Sequence, residues 1–440
     1  MPNFNAGSQI PISQLEYLER TIDERRIADG MAAIHNLYNE VLPNLSPRLG
    51  NASRFLADLT IFVDTGYGGV GNLQHAFGHF GQVERSTVSA EDLAYYRFAL
   101  AVYSFLTGKA ALAKECMWRA IEEMGDDKAG AFFRNLALFY QARMARKSGA
   151  YEAAEDKTRE AEQMAESRSK PLLAAVIRST RAWVLWEKGD PQAQTILNDC
   201  RRVLEPTDDE AGKIAITSML GRIARRRGMY PESVVYADEV VCRADAFCPE
   251  HPSYPRYLIN AAAAKRLLAR EIERELEREI DEEQQVRGNV RHFLNQHKMF
   301  VVKSGDAAYA EIAEAPGVQK FLAYHTAWKT RQEQQTARSR CRAEIAALRN
   351  ETERLLAKAR EIESTLPNHH GLGLVDFYTG LLRLDQQRPL EALACGKSAL
   401  EAGVRCRNPV LRARAFVLQC LAAKACADEN LASELYPGYY

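Results

Sequence analysis

Residues 145–161 read ARKSGAYEAAEDKTREA, and the same order of residue types recurs along the chain. A helix-forming stretch that ends in basic residues leads to Gly149, and an alanine-rich helix-forming stretch follows it. Gly108, Gly189 and Gly228 stand in the same setting, so the four glycines are spaced by about 40 residues. A glycine between two helix-forming stretches is typical of a helix end that is followed at once by a new helix. The sequence therefore predicts a series of two-helix hairpins.

These segments resemble the tetratricopeptide repeat (TPR) family. A small residue lies seven positions before each glycine, where the family packs its two helices closely: Ala101, Ala142, Ala182 and Gly221. After the glycine come an aromatic residue and the family's characteristic alanine in some units: Tyr151, Tyr230, Ala113 and Ala154. The sequence departs from the pattern where Arg178 and Arg181 occupy apolar positions and where Gln194 and Ser233 replace the alanine, and its period exceeds the family's 34 residues.

The resemblance implies an all-α fold, a TPR-like helical hairpin array or α-solenoid, over residues 91–250. One more unit around Gly380, followed by a helix from Asn408, extends the pattern into residues 371–440. Each hairpin of such an array buries its apolar faces only against its neighbours, and the array presents a concave groove. Residues 1–90 are predicted to form a helical N-terminal cap with a glycine-rich connection that shields the end of the array.

The stretch 251–370 differs from the repeats because it predicts two long helices, at residues 258–298 and 319–366. Their apolar residues recur at alternating spacings of three and four, which is the seam of a coiled coil: Leu268, Ile272, Leu276 and Ile280, then Ile345, Leu348, Thr352, Leu355, Ala359, Ile362 and Leu366. In an antiparallel hairpin the acidic residues 271–283 face the basic residues 337–349. We therefore predict an antiparallel coiled-coil arm with residues 303–317 at its tip, and a stretched repeat lying along the array is the alternative.

Composition limits the class of protein. The 440 residues carry 58 basic and 58 acidic side chains, so the net charge indicates neither a nucleic-acid partner nor a membrane surface. The nine cysteines form no C-x-x-C pair, which is typical of reduced thiols in a cytoplasmic protein. No stretch of the sequence approaches the length and apolarity of a membrane helix. We expect a cytoplasmic protein without a membrane segment.

Residues 61–71, IFVDTGYGGVG, contain the spacing G-x-G-x-x-G of a dinucleotide-binding loop. The apolar residues before it recur at helical spacing, so Gly66 is predicted to end a helix and the nucleotide interpretation is disfavoured. His75 and His79 share one helical face, but the sequence supplies neither the glutamate of H-E-x-x-H nor a third ligand. We expect no metal, no cofactor and no catalytic residue. An enzyme that uses residues 61–81 remains a third alternative.

The TPR resemblance also implies which residues face the groove, namely those six and three positions before each glycine. In the first unit these are Val102 and Phe105, and in the next three units they are Arg143 and Arg146, Trp183 and Trp186, and Arg222 and Arg225. Arginine pairs carboxylates through two parallel hydrogen bonds, and tryptophan supplies a large contact area. The alternative interpretation is that the tryptophans belong to the core and that the arginines stabilise helix C-termini.

The sequence thus predicts a non-catalytic scaffold, adaptor or regulatory subunit. It would bind a protein or an acidic peptide through the groove and the coiled-coil arm, and two tryptophans on a chain of zero net charge argue against nucleic acid. The alternative is a ligand- or peptide-responsive sensor that controls a partner. Exchanging Arg143 and Arg222 for glutamate is expected to abolish partner capture and to leave the fold intact. The oligomeric state and the identity of the partner do not follow from the sequence.

Overall fold

A computed structural model describes residues 10–40, 50–66, 73–77, 89–251, 253–296, 331–365, 371–406 and 408–426. These residues are almost entirely helical and contain no strand, which confirms the all-α prediction for the described ranges. The longer helices are α1 (Ile12–Asp23), α2 (Ile27–Glu40), α3 (Gly50–Asp64), α4 (Ala90–Leu106), α5 (Ala110–Glu123), α6 (Lys128–Lys147), α7 (Tyr151–Ser167), α8 (Pro171–Glu187), α9 (Ala193–Leu204), α10 (Glu210–Arg226), α11 (Tyr230–Phe247), α12 (Tyr254–Gln296), α13 (Arg331–Thr365), α14 (Leu372–Asp385), α15 (Pro389–Arg405) and α16 (Pro409–Ala425). They divide into two compact units, Met1–Asn260 with Lys358–Leu372, and Ala261–Ala357 with Gly373–Tyr440.

The four repeated glycines end the first helix of each hairpin in the first unit. Each has a positive φ, between 79° and 87°, which a residue without a Cβ adopts at little cost. At Gly149 the amide of Ala150 reaches back to the carbonyl of Ala145 at 3.0 Å, and the glycine amide itself bonds Arg146 at 3.1 Å. The same pair of bonds recurs at the other three glycines and defines a Schellman motif. This local geometry closes each TPR-like hairpin.

Close packing between the two helices of a hairpin uses the predicted small residues. Ala101, Ala142 and Ala182 are fully buried. Gly221 lies against Tyr236, so that a Cβ built on it would come within 3.0 Å of the tyrosine Cβ. The hydroxyl of Ser233, which replaces the family's alanine, donates to the Gly221 carbonyl at 2.9 Å. The TPR-like hairpin array is therefore confirmed by its contacts as well as by its helix order.

The N-terminal helices make polar contacts with several hairpins of the first unit. Arg25, after α1, forms a buried ion pair with Asp209 at 2.7 Å. The carboxylate of Asp208 accepts hydrogen bonds from the first two amides of α2, those of Ile27 and Ala28, at 2.6 and 3.1 Å. Because Asp208 and Asp209 precede α10, the N-terminal helices contact the middle of the repeats in addition to the start at α4.

The glycine-rich stretch begins with a helix end. Ile61, Phe62 and Val63 lie in α3, and Gly66 follows that helix with a φ of 114°. A Cβ on Gly66 would come within 2.8 Å of the Phe247 ring, so close packing and the positive φ both require glycine. The helix in place of a strand agrees with the rejection of a dinucleotide fold. Gly68, Gly71 and His79 lie outside the described residues.

In the second unit, α12 and α13 pack against each other through apolar side chains. Leu276 and Ile345 are buried, and Ile272, Ile280, Cys341 and Leu348 pack around them. Two ion pairs join the same helices, Glu273 with Arg349 at 2.6 Å and Glu283 with Arg338. The ion pairs join the acidic residues 271–283 to the basic residues 337–349, as the charge pattern predicted. The tip at 303–317 lies outside the described residues, and the projecting coiled-coil arm stays a prediction.

The helices α14, α15 and α16 complete the second unit. Gly380 in α14 lies close to Leu418 of α16 and Cys395 of α15. Gln387, which ends the turn after α14, has a φ of 58° and occupies the position that glycine holds in the other hairpins. The amide of Arg388 bonds the Arg383 carbonyl at 2.8 Å, as in the other hairpin turns. The same turn therefore forms without glycine.

Candidate functional site

The six residues predicted to line the groove lie on α6, α8 and α10, the first helices of three successive hairpins. All of them are within the described residues, but they do not form one group. Arg146, Trp183 and Arg222 come together. Glu187, at the end of α8, joins them, and these four residues are called the Arg146 cluster below. Arg143, Trp186 and Arg225 make other contacts.

Trp183 lies between α6 and α10, and an arginine from each of these helices contacts its ring. The guanidinium carbon of Arg146 is 3.9 Å from the Trp183 ring centroid, and that of Arg222 is 4.9 Å from it. These are cation–π distances, at which the negative face of the indole attracts each guanidinium group. Because the two arginines come from α6 and α10, the ring of α8 joins three hairpins.

The cluster contains two arginines and one carboxylate, so its positive charge exceeds its negative charge. Burial, reinforced by the charges of Arg143 and Arg222, lowers the pKa of Arg146 to about 10. Burial also lowers the pKa of Arg222 to about 10, and the nearby charge of Glu187 opposes this shift only in part. The Nε atom of Arg146 is buried and has no hydrogen-bond partner in the described part of the chain. A buried arginine donor without an acceptor costs free energy of folding.

Glu187 is the acceptor within the cluster, and the sequence analysis did not single it out. One carboxylate oxygen lies 3.5 Å from Arg222 Nη2 and 3.4 Å from Trp183 Nε1, and the other lies 3.4 Å from Arg226 Nη2. A signal existed, because Glu187 follows Trp183 by four positions and therefore shares its helix face. Glutamate residues at the end of a helix are common on protein surfaces, so the pattern alone did not mark it as part of a site.

Trp186 lies one turn further along α8, beside two arginines that the sequence analysis had not assigned. The guanidinium carbons of Arg226 and Arg227 are 5.8 and 5.6 Å from its ring centroid. Its Nε1 atom is buried and lacks a hydrogen-bond partner among the described residues. Trp186 and Trp183 also pack against the apolar core of α8, α9 and α10. Both tryptophans therefore pack against the apolar core and against arginine side chains at once.

Arg143 has a partner of its own, unlike Arg146. Both its terminal nitrogens donate to the carboxylate of Asp64, and the hydroxyl of Tyr140 donates to the same carboxylate at 2.8 Å. Burial opposes ionisation of Asp64, but the charge and hydrogen bonds of Arg143 outweigh it and lower its pKa. Glutamate at position 143 would face this carboxylate, so the expectation that this exchange spares the fold is corrected. Arg225 donates to the Asn260 carbonyl at 3.2 Å.

The histidine segment shows a structural contact. The Tyr38 hydroxyl and His75 Nδ1 are 2.9 Å apart, and the two rings are tilted with centroids 6.0 Å apart. Among the described residues no group of three His, Cys, Asp or Glu side chains is arranged to hold a metal ion. His79 lies outside those residues, so the absence of a metal stays a prediction. No helix within the described ranges has the length and apolar character that a membrane crossing needs.

No protein-family model matches the chain, and no curated protein matches it. Among solved structures, it is similar to a Rap protein complexed with Competence and Sporulation Factor, with 11% identity over 95% of this chain and 98% of that chain and a TM-score of 0.48. It is also similar to a human IFIT1 dimer with m7Gppp-AAAA, with 11% identity over 98% and 94% of the two chains and a TM-score of 0.36. At these values neither structure assigns a ligand or a partner to this chain.

Proposed function

We propose that the protein is a non-catalytic scaffold, an adaptor or regulatory subunit, that binds an acidic peptide or protein segment at the Arg146 cluster. The observation that carries the proposal is the buried Nε of Arg146, which has no acceptor among the described residues while Arg222 lies beside the same indole ring. A bound carboxylate would supply the missing acceptor and the missing negative charge. Charge-assisted hydrogen bonds to carboxylates are stronger than neutral ones.

The cluster itself supports carboxylate over other anions. Glu187 already places a carboxylate among Arg222, Arg226 and Trp183, so these donors surround a position that a carboxylate can occupy. Trp183 and Trp186 are only partly buried and offer aromatic surface next to these donors. An acidic peptide with an aromatic or aliphatic residue beside its carboxylates matches both features. A nucleic acid would meet the same arginines, and it is the competing outcome of the test.

Two buried thiols of the first unit, Cys200 and Cys248, are poor nucleophiles. Burial raises the pKa of Cys200 to about 12 and that of Cys248 to about 11. A cysteine nucleophile needs a lowered pKa, because the thiolate is the reactive form. The groups with strongly shifted pKa values in the Arg146 cluster are arginines, which bind anions and do not act as general bases at neutral pH.

The test is a fluorescence anisotropy titration with a labelled peptide that contains five glutamates, one phenylalanine and two leucines. A matched peptide in which glutamine replaces every glutamate isolates the contribution of charge. We expect the double variant Arg146→Met with Arg222→Met to bind the acidic peptide at least about 30-fold more weakly, because two charge-assisted contacts are lost. Arg119→Met with Arg202→Met is the control, since both side chains are half or more exposed.

Two results would contradict the proposal. The first is equal affinity of the wild type for the acidic and the glutamine peptides. The second is tighter binding of a labelled single-stranded oligonucleotide that is lost in the double variant, because it would assign the cluster to nucleic acid. Circular dichroism of each variant accompanies the titration, so that a loss of binding is not confused with a loss of the fold.

A further inference from the structure

Glu187 is held weakly although three donors surround it. Its contacts to Arg222, Trp183 and Arg226 measure 3.4 to 3.5 Å, whereas an arginine and a carboxylate in optimal contact approach to about 2.8 Å. The neighbouring ion pairs of the same helices are tighter. Lys188, the next residue, bonds Glu155 at 2.7 Å, and Arg178 bonds Glu162 at 2.6 Å.

The position of Glu187 in its helix adds to this weakness. It is the last residue of α8, where unpaired carbonyls give the helix end a partial negative charge. A carboxylate at that end is disfavoured, and a cation is favoured. The side chain is nevertheless mostly buried, with 18% of its surface exposed. Neither the partial charge of the helix end nor the contact distances therefore favour a glutamate at position 187. The surplus of arginines around it does.

One carboxylate does not balance the cluster. Arg222 and Arg226 share Glu187, while the Nε of Arg146 has no hydrogen bond within the described ranges. Arg256 adds a further positive charge that acts on both Arg146 and Arg222. Glu187 takes the Nη2 donor of Arg222, so a ligand carboxylate that bridges Arg146 and this donor of Arg222 must displace it.

We infer that Glu187 is an internal competitor that occupies the ligand's carboxylate position in the free protein and gives up Arg222 when an acidic ligand binds. This inference rests on the proposed function, and it adds that the same site limits its own affinity. A ligand must supply enough contacts to replace those of Glu187. Ligands that bear a single carboxylate are thereby rejected in favour of ligands with several, which makes Glu187 a specificity-determining residue.

The variant Glu187→Gln tests the inference, because glutamine keeps the length of the side chain and removes its charge. We expect it to bind the acidic peptide about 10-fold more tightly than the wild type and to bind the glutamine peptide unchanged. A factor of ten corresponds to about 1.4 kcal/mol. Glu152→Gln is the matched control, because Glu152 is exposed on α7 and its removal should leave the affinity unchanged.

A second variant, Glu187→Asp, guards against a folding defect. Its shorter side chain withdraws the carboxylate from the arginines and should give an intermediate gain in affinity. Equal or weaker binding of the acidic peptide by a folded Glu187→Gln would overturn the inference, because Glu187 would then position the arginines for the ligand. That result is distinguishable from failure of the proposed function, in which the wild type itself fails to prefer the acidic peptide and the arginine double variant changes nothing.

Discussion

Arg143 and Arg146 lie one turn apart on α6, and their surroundings are opposite. Arg143 meets the carboxylate of Asp64, and its pKa is raised because this charge outweighs burial. Arg146 meets the indole of Trp183 and two further arginines, and its pKa is lowered by burial and by those charges. Both guanidinium groups are largely buried. Asp64 supplies the acceptor at the first site, whereas the Nε of Arg146 has none in the part of the chain that the structure describes.

The difference teaches how to separate a structural arginine from a binding arginine. Both residues fall at positions that the TPR resemblance assigns to the groove, so position alone does not distinguish them. The partner does. Asp64 is the last residue of α3 and is 79 residues away from Arg143 in sequence. The N-terminal helices therefore supply a carboxylate to Arg143, whereas the Nε of Arg146 has no acceptor among the described residues. Loss of one partner from a buried ion pair is strongly destabilising, so Arg143 is structural, whereas Arg146 has an unfilled donor that a ligand can use.

The largest expected effect comes from Arg143→Met. It leaves Asp64 buried without its cation, and we expect the free energy of unfolding to fall by about 3 to 5 kcal/mol. Arg146→Met, the matched change one turn away, should alter it by less than about 1 kcal/mol, because the loss of the cation–π contact with Trp183 is offset by removal of a buried charge whose Nε has no acceptor among the described residues. Urea denaturation of both variants measures the contrast. Equal losses would break the distinction between the two arginines.

A second prediction concerns Asp58, a buried acid whose two carboxylate oxygens have no hydrogen-bond partner within the described residues. Burial, with the nearby charge of Glu19, raises its pKa well above 3.8. The folded protein therefore binds a proton that the unfolded chain releases, so stability is highest below the unfolded pKa and falls as pH rises toward the folded pKa. The slope approaches about 1.4 kcal/mol per pH unit for one proton.

Asp58→Asn removes this titration. We expect the variant to lose the fall in stability that the wild type shows as pH rises above about 4, and to be the more stable of the two at neutral pH. Thermal denaturation from pH 4 to 8 measures both curves. If the two proteins show the same pH dependence, Asp58 is ionised in the folded state. The pKa shift that accompanies a missing hydrogen-bond partner at Arg146 would then not extend to buried acids.

The smallest effect is expected for Tyr140→Phe, which removes one of the hydrogen bonds to Asp64 and leaves Arg143 in place. We expect a loss of about 1 kcal/mol. Because the pKa of Asp64 is lowered, its contribution to stability is present above about pH 4 and is lost as pH falls through the folded pKa. The variant should therefore unfold at a slightly higher pH in an acid titration. An unchanged acid midpoint would show that the Tyr140 hydrogen bond does not contribute to the lowered pKa of Asp64.

The sequence predicted the hairpins because their determinants are local. The four glycines with positive φ and the buried small residues seven positions earlier both follow from the spacing within each unit. Gln387 shows the limit of that rule, since the same turn forms there without glycine. The contacts between α12 and α13 likewise lie where two independent patterns, apolar spacing and charge, had aligned the helices.

The binding cluster was predictable only in part. The sequence placed Arg146, Trp183 and Arg222 on three successive first helices, and the structure brings these three together. The sequence did not reveal that Asp64 would satisfy Arg143, because nothing in a helical repeat pattern identifies a partner in a non-repetitive segment. It also did not mark Glu187, whose role depends on arginines 35 and 39 residues away in sequence.

The most direct test of the central claim is the effect of the acidic peptide on stability in the wild type and in Arg146→Met. At a peptide concentration 100-fold above its dissociation constant, the account predicts that the free energy of unfolding of the wild type rises by about 2.7 kcal/mol. Arg146→Met, whose stability without peptide is expected to lie within about 1 kcal/mol of the wild type, should gain clearly less at the same concentration, about 1.4 kcal/mol if the single change weakens binding 10-fold. An equal rise in both proteins, or no rise in the wild type beyond that caused by the glutamine peptide, would contradict it.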